Sequence, residues 1–175
     1  MTANITTKTL TITGLTGVDK TYDGTTTATT SGTATLAGVI SPDVVTLGGT
    51  PVLTFADALV GSAKAITVTG YTISGASSAN YTVQQPTNLT ANITPKSLTV
   101  TGLIGVSKVY DRGTGTGVGG TPTLNGVLTG DAGNVALDAS LAVYSFADAS
   151  VGTAKTITAT GFRLTGSASS NYSVG

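Results

Sequence analysis

The chain repeats itself, and that repetition limits its architecture more than any single motif does. KTLTITGLTGVDKTYDG at Lys8 to Gly24 returns as KSLTVTGLIGVSKVYDR at Lys96 to Arg112, an offset of 88 residues. LAGV at Leu36 returns as LNGV at Leu124 with the same offset, whereas FADALVGSAKAITVTG at Phe55 returns as FADASVGTAKTITATG at Phe146, 91 residues on. The three additional residues therefore lie between Gly130 and Tyr144, in a loop or strand end that tolerates insertion. SGASSANYTV at Ser74 is echoed by TGSASSNYSV at Thr165. Self-similarity at a fixed period marks one structural unit per period, so residues 1–94 and 95–175 are expected to form two modules.

Within each copy the pattern is that of strands. Thr, Val, Ile and Tyr dominate, glycine punctuates the runs, and no segment carries apolar residues at helical spacing. Leu10 and Ile12 alternate with Thr9, Thr11 and Thr13, and Ile66 and Val68 alternate with Thr67 and Thr69. One buried face and one threonine-bearing face suit antiparallel sheets packed as a sandwich. In AITVTGYTIS the apolar phase slips at Gly70, and the second copy slips at Gly161, so a β-bulge or bend is expected at both glycines. Positions apolar in both copies give the expected core: Leu10, Ile12, Leu15, Val18, Tyr22, Leu36, Val39, Leu47, Phe55, Val60, Ile66, Val68, Tyr71, Ile73, Tyr81 and Val83.

Composition narrows the chemistry. The sequence contains no His and no Cys, and all eight acidic residues are Asp. General acid-base and nucleophilic catalysis lose most of their usual side chains, and zinc, copper and iron lose imidazole and thiolate. No catalytic residue, cofactor or metal is expected. Eight Lys plus Arg, scattered singly in a chain of zero net charge, make no basic stripe for a nucleic acid. No apolar run approaches the ~20 residues of a membrane-spanning helix. Calcium is the remaining metal to weigh, with Asp23, Asp43 and Asp57 as oxygen donors, but they are spaced unlike a calcium loop. A Lys-Asn cross-link would need Lys64 or Lys20 beside Asn80, with Asp57 as proton shuttle.

YDG at Tyr22 to Gly24 reads as a tight turn. Asp23 can accept a backbone hydrogen bond, Gly24 permits positive φ, and Tyr22 anchors the turn in the core. The second copy carries Tyr110 and Asp111 but Arg112 in place of the glycine, followed by the glycine-rich GTGTGVGG. Asn80 and Tyr81, echoed as Asn171 and Tyr172, precede a late strand, where a tyrosine can bond back to the backbone.

KTYDGTT at Lys20, the FADALVGSAKAITVTG block, SANYTV at Ser78 to Val83 and ANITPKSLTV at Ala91 together resemble the YDG-type repeats, also grouped with mostly bacterial Ig-like modules. Such repeats occur in tandem in large secreted or surface adhesins of the filamentous-haemagglutinin kind. The resemblance implies two tandem Ig-like β-sandwiches in an elongated arrangement, acting as stalk units outside the cell, with no catalytic residues to carry over.

Between the copies the chain reads NLTANITPKSLTV, without a Gly/Ser spacer, and Pro95 stiffens the joint. TANIT occurs at Thr2 to Thr6 and again at Thr90 to Thr94. If it closes a module, residues 2–6 are the end strand of a preceding copy and the second copy stops at Gly175 without its last strand. Head-to-tail strand exchange between molecules would then be open to it. If TANIT opens a module, both copies are nearly complete; the first frame is favoured because Val83 to Thr94 is long enough to recross a sandwich. Met1 leads directly into polar residues without a signal peptide, as in an excised fragment with an added start codon. The expected function is a structural spacer of a surface or secreted adhesin, with neighbouring repeats as its partners. The competing expectation is a module binding carbohydrate or host protein through loops around Tyr22, Tyr110, Tyr144 or Gly113 to Gly120.

Overall fold

The structure, a computed structural model, describes residues 1–175 and divides into two units, Met1–Thr94 and Pro95–Gly175. Both consist of strands, joined by turns and three short 3₁₀ turns, with no α-helix. Unit 1 contains β1 (Lys8–Val18), β2 (Lys20–Thr21), β3 (Thr29–Ala37), β4 (Thr46–Phe55), β5 (Gly61–Ser74), β6 (Tyr81–Gln84) and β7 (Thr90–Thr94). One sheet has the order β3-β1-β6 and the other β2-β7-β5-β4.

These strands amount to five legs. β1 crosses to the second sheet at Asp19 and continues as β2, and β6 likewise gives way to β7. The hairpin partners β1 and β3, β4 and β5, and β5 and β7 are antiparallel, as alternating patterns suggest. The first and last legs, however, pair in parallel: Lys8 to Thr11 beside Tyr81 to Gln84, and Lys20 and Thr21 beside Ile93 and Thr94. The sheets are therefore mixed, because four reversals of direction return the chain to its starting sense. A fifth leg that lies against the first must run parallel to it.

The core of unit 1 follows the period of two. Leu10 and Ile12 of β1, Ile66 and Val68 of β5, and Ala91 and Ile93 of β7 are buried, together with Phe55, Tyr22 and Tyr81. Val18, expected in this core, is 38% exposed, because it ends β1 where the chain leaves one sheet for the other. Leu15, Leu36, Val39, Leu47, Val60, Tyr71, Ile73 and Val83 are half-buried rather than enclosed. Ala28, Ala91 and Ile93 are buried although the repeat comparison did not single them out.

The phase slip at Gly70 has a structural cause. Gly49 pairs with Tyr71 and Val52 with Thr69, so two residues of β4 oppose Gly70 alone. The extra residue thus lies on the partner strand, and Gly70 takes φ +93°, with the carbonyl of Thr50 only 2.4 Å from where a Cβ would stand.

Unit 2 contains β8 (Lys96–Gly105), β9 (Val118–Asn125), β10 (Ala136–Asp138), β11 (Val143–Phe146), β12 (Ile157–Thr160), β13 (Arg163–Thr165) and β14 (Tyr172–Val174). β8 pairs antiparallel with β9 and parallel with β14, repeating the first sheet of unit 1. The counterparts of β4 and β5 are each broken in two, giving β10 with β13 and β11 with β12. The breaks fall at the turn Ala139 to Leu141 and at Gly161, so part of the insertion lodges where unit 1 has its bulge. No strand of unit 2 corresponds to β2 or β7.

Candidate functional site

The YDG segment is a clasp. Asp23 Oδ1 accepts the Thr25 N–H and hydroxyl, both at 2.9 Å, while Gly24 takes φ +75°. Lys20 Nζ reaches back to the same carboxylate at 2.7 Å and also donates to the carbonyls of Thr25 and Thr27 at 2.9 and 3.1 Å. One lysine therefore ties the strand β2 to the loop that follows it. Asp111 Oδ1 receives the Gly113 N–H at 2.8 Å and Lys108 Nζ at 2.7 Å in the second copy, so the turn survives without its glycine. Arg112 instead takes φ +66° itself. A second clasp joins Lys64 to Asp57 and the Leu59 carbonyl, echoed by Lys155 with Asp148 and the Ser150 carbonyl. FADALVGSAK and FADASVGTAK carry this signal, an Asp and a Lys seven residues apart in both copies. Hydrogen bonds from the lysines hold the Asp57, Asp111 and Asp148 carboxyls below the usual range. For Asp23, partial burial pushes upward and the bonds from Lys20 and Thr25 outweigh it.

Tyr81 and Tyr172 fasten the far corner of each unit. The Tyr81 hydroxyl accepts the Ile40 N–H at 3.2 Å and donates to Asp43 Oδ2 at 2.6 Å. Tyr172 does the same with the Leu128 N–H at 3.1 Å and Asp131 Oδ2 at 2.6 Å. The hydrogen bond to Asp43 raises the pKa of Tyr81, and burial followed by the bond to Asp131 raises that of Tyr172. Asn80 is exposed at the end of a 3₁₀ turn, whereas Asn171 is buried at the matching place.

The calcium candidates do not converge. Asp23 is held by Lys20, Asp57 by Lys64 and Asp43 by Tyr81, and no cluster of three acidic side chains forms anywhere. Of the cross-link candidates, Lys20 is engaged by Asp23, Lys64 by Asp57, and Asn80 is bonded through its backbone N–H to the Ser77 carbonyl. Pro95 is exposed and is the single residue between β7 and β8.

The glycine-rich stretch is less free than its composition suggests. Phe146 N–H donates to the Thr114 carbonyl at 2.9 Å and Thr116 N–H to the Tyr144 carbonyl at 3.1 Å, so it is zipped to β11 and runs into β9. Tyr144 packs edge-on against Phe162 with ring centroids 6.2 Å apart. Of the three tyrosines considered for ligand contact, Tyr110 is the exposed one. It is 57% exposed, where its counterpart Tyr22 is 6% exposed. Tyr110 borders a groove of about 310 Å³ together with Val106, Val151, Ala154, Lys155 and Ile157.

Sequence reasoning passed over Asn92, the middle residue of TANIT. Its backbone N–H and Nδ2 donate to Asp19 at 2.7 and 2.8 Å, and its Oδ1 accepts the Ala63 N–H at 2.8 Å. These bonds pull the Asp19 carboxyl below its ordinary pKa, the backbone bond having the larger effect. The recurrence of Asn in both TANIT segments was the available signal.

No curated protein and no solved structure matches the chain. The family model of the YDG domain matches twice, over residues 6–88 and 94–175. With the YDG clasp present in both units and nearly all of the sequence covered, the chain belongs to the YDG-domain family.

Proposed function

We propose that this chain is a structural spacer, part of the stalk of a secreted or surface-attached bacterial adhesin that holds a distal binding region away from the cell. The observation that carries the reading is the parallel pairing of β2 with β7. Because the first and last legs run in the same sense, the chain enters unit 1 beside Lys8 and leaves it beside Thr21, at Thr94. Those points are separated by the length of β1 and β2, roughly 40 Å for fourteen extended residues. A module with its ends at opposite poles extends a chain each time it is repeated.

A sequence without His, Cys or Glu, with four of its six lysines and most of its aspartates committed to clasps and turns, is consistent with a mechanical rather than chemical task. The adhesin context and extracellular location rest on the resemblance of the repeats to those of filamentous-haemagglutinin-type proteins. The test is X-ray scattering from tandem chains of two, four and six modules. A spacer predicts a maximum dimension that rises in proportion to module number, and a radius that grows only as a compact globule would end the reading. Specific, saturable binding of this chain to a glycan array or to host cells would favour the adhesive-module alternative.

A further inference from the structure

In unit 1 the first leg, β1 with β2, lies parallel to the last leg, β6 with β7. Lys8 to Thr11 pair with Tyr81 to Gln84, and Lys20 and Thr21 pair with Ile93 and Thr94. The chain enters the first leg at Lys8 and leaves the last leg at Thr94. A pull between those two points drags the legs in opposite directions along their common axis. All the hydrogen bonds between the legs then carry the load together. Were the legs antiparallel, entry and exit would share a pole, and the same pull would open the pairs one at a time.

Side chains reinforce this seam where the first leg changes sheet. Asp19 stands between β1 and β2, and its carboxylate accepts the Asn92 N–H at 2.7 Å and Asn92 Nδ2 at 2.8 Å. Asn92 is the central residue of β7, and its Oδ1 accepts the Ala63 N–H of β5 at 2.8 Å. Bonds to a carboxylate are roughly twice as strong as neutral ones. Asp19 is exposed and Asn92 half-buried, so the pair acts through these bonds rather than through burial in the core. Two more bonds stand where the load leaves the unit: the Thr94 carbonyl accepts the Tyr22 N–H at 2.8 Å, and the Thr94 hydroxyl donates to the Lys20 carbonyl at 3.3 Å. The first part of the seam recurs in unit 2, where Tyr172 to Val174 run parallel to Lys96 to Leu98.

We propose that unit 1 is a force-bearing clamp: tension between Lys8 and Thr94 loads the β1–β6 and β2–β7 pairings in shear, and Asp19 with Asn92 forms the latch between the legs. Forced unfolding is governed by the barrier to the first rupture rather than by equilibrium stability. A seam that must break along its whole length raises that barrier, and the latch raises it further at the sheet crossing. Strand pairing alone carries this assignment, so it stands apart from the spacer reading. Scattering reports length and pulling reports resistance, and either result can fail without the other.

Single-molecule pulling on the whole chain tests the clamp. The sequence has no cysteine, so paired substitutions provide the only thiols for attaching handles. Thr7→Cys with Pro95→Cys loads the seam in shear, whereas Thr7→Cys with Asn80→Cys pulls both legs from the same pole and peels β1 from β6; all three positions are exposed. At equal loading rate the first geometry should rupture at a force at least about twofold higher than the second, because the cross-leg bonds share one barrier. Asp19→Ala should lower the first force by about a third, its two charge-assisted bonds counting for roughly two neutral ones each. The second force should not change, since peeling begins at Lys8 and Tyr81, away from the latch. Equal forces in the two geometries overturn the clamp. A loss with Asp19→Ala that is equal in both, or absent from the first, overturns the latch.

Discussion

The two YDG turns differ by one residue whose energetic effect can be worked out in both directions. Gly24 and Arg112 share a left-handed backbone, at φ +75° and +66°, inside turns closed by the same aspartate and lysine. For an L-residue with a side chain this conformation costs roughly 1–2 kcal/mol. Replacing Arg112 by glycine removes that cost but restores about 0.4–1 kcal/mol of freedom to the unfolded chain. The net is a stabilisation of unit 2 by about 0.5–1 kcal/mol, or about 3–6 °C for a domain of this size. Gly24→Arg reverses the sign and lowers unit 1 by a similar amount. Scanning calorimetry, with amide exchange to assign each transition to its unit, reads both effects. If Arg112→Gly leaves unit 2 unchanged or lowers its melting point, the backbone argument is wrong and the arginine side chain contributes more than its exposed position indicates.

Ile93 is 1% exposed at the centre of β7, so Ile93→Ala should cost about 2–5 kcal/mol. Amide exchange should place the loss in unit 1 and leave unit 2 untouched. The Lys64–Asp57, Lys108–Asp111 and Lys155–Asp148 clasps lower their carboxyl pKa values, so their contribution is present above the unfolded carboxylate value of about 3.9. It is lost as the pH falls through the lower folded values, and a melting-temperature profile against pH should decline there; replacing all three lysines by methionine should flatten that decline. Tyr81 and Tyr172 have raised pKa values, so their hydroxyl bonds contribute fully below the unfolded tyrosine value of about 10 and are lost as pH rises through the folded ones. Absorbance titration near 295 nm should find Tyr81 and Tyr172 ionising late, and Tyr81→Phe with Tyr172→Phe should diminish the late phase by those two ionisations.

Local chemistry was written plainly in the sequence. The double module, its all-strand character and its period of two followed from pairwise likeness and from Thr alternating with Ile, Val and Leu. The irregularities at Gly70 and Gly161 followed from a phase change that only a bulge or break could absorb, and both glycines do take positive φ. The Asx-type closure at Asp23 was also legible, because its donor lies two residues away.

Relations between distant strands were decided by the tertiary structure alone. Nothing in Lys20 or Ile93 announces that they lie side by side in parallel, since that pairing depends on the number of reversals made by the 70-odd residues between them. Val18 and Tyr22 show the same limit, one exposed and the other buried within a few residues of a sheet crossing. Tyr22 and Tyr110 make it clearest. Their local sequences are nearly alike, yet one is buried and the other exposed, and the backbone N–H of Tyr22 is bonded to Thr94, at the end of a strand remote in sequence. Dihedral preference and side-chain period are properties of neighbours along the chain, whereas burial is a property of whatever the chain later brings alongside.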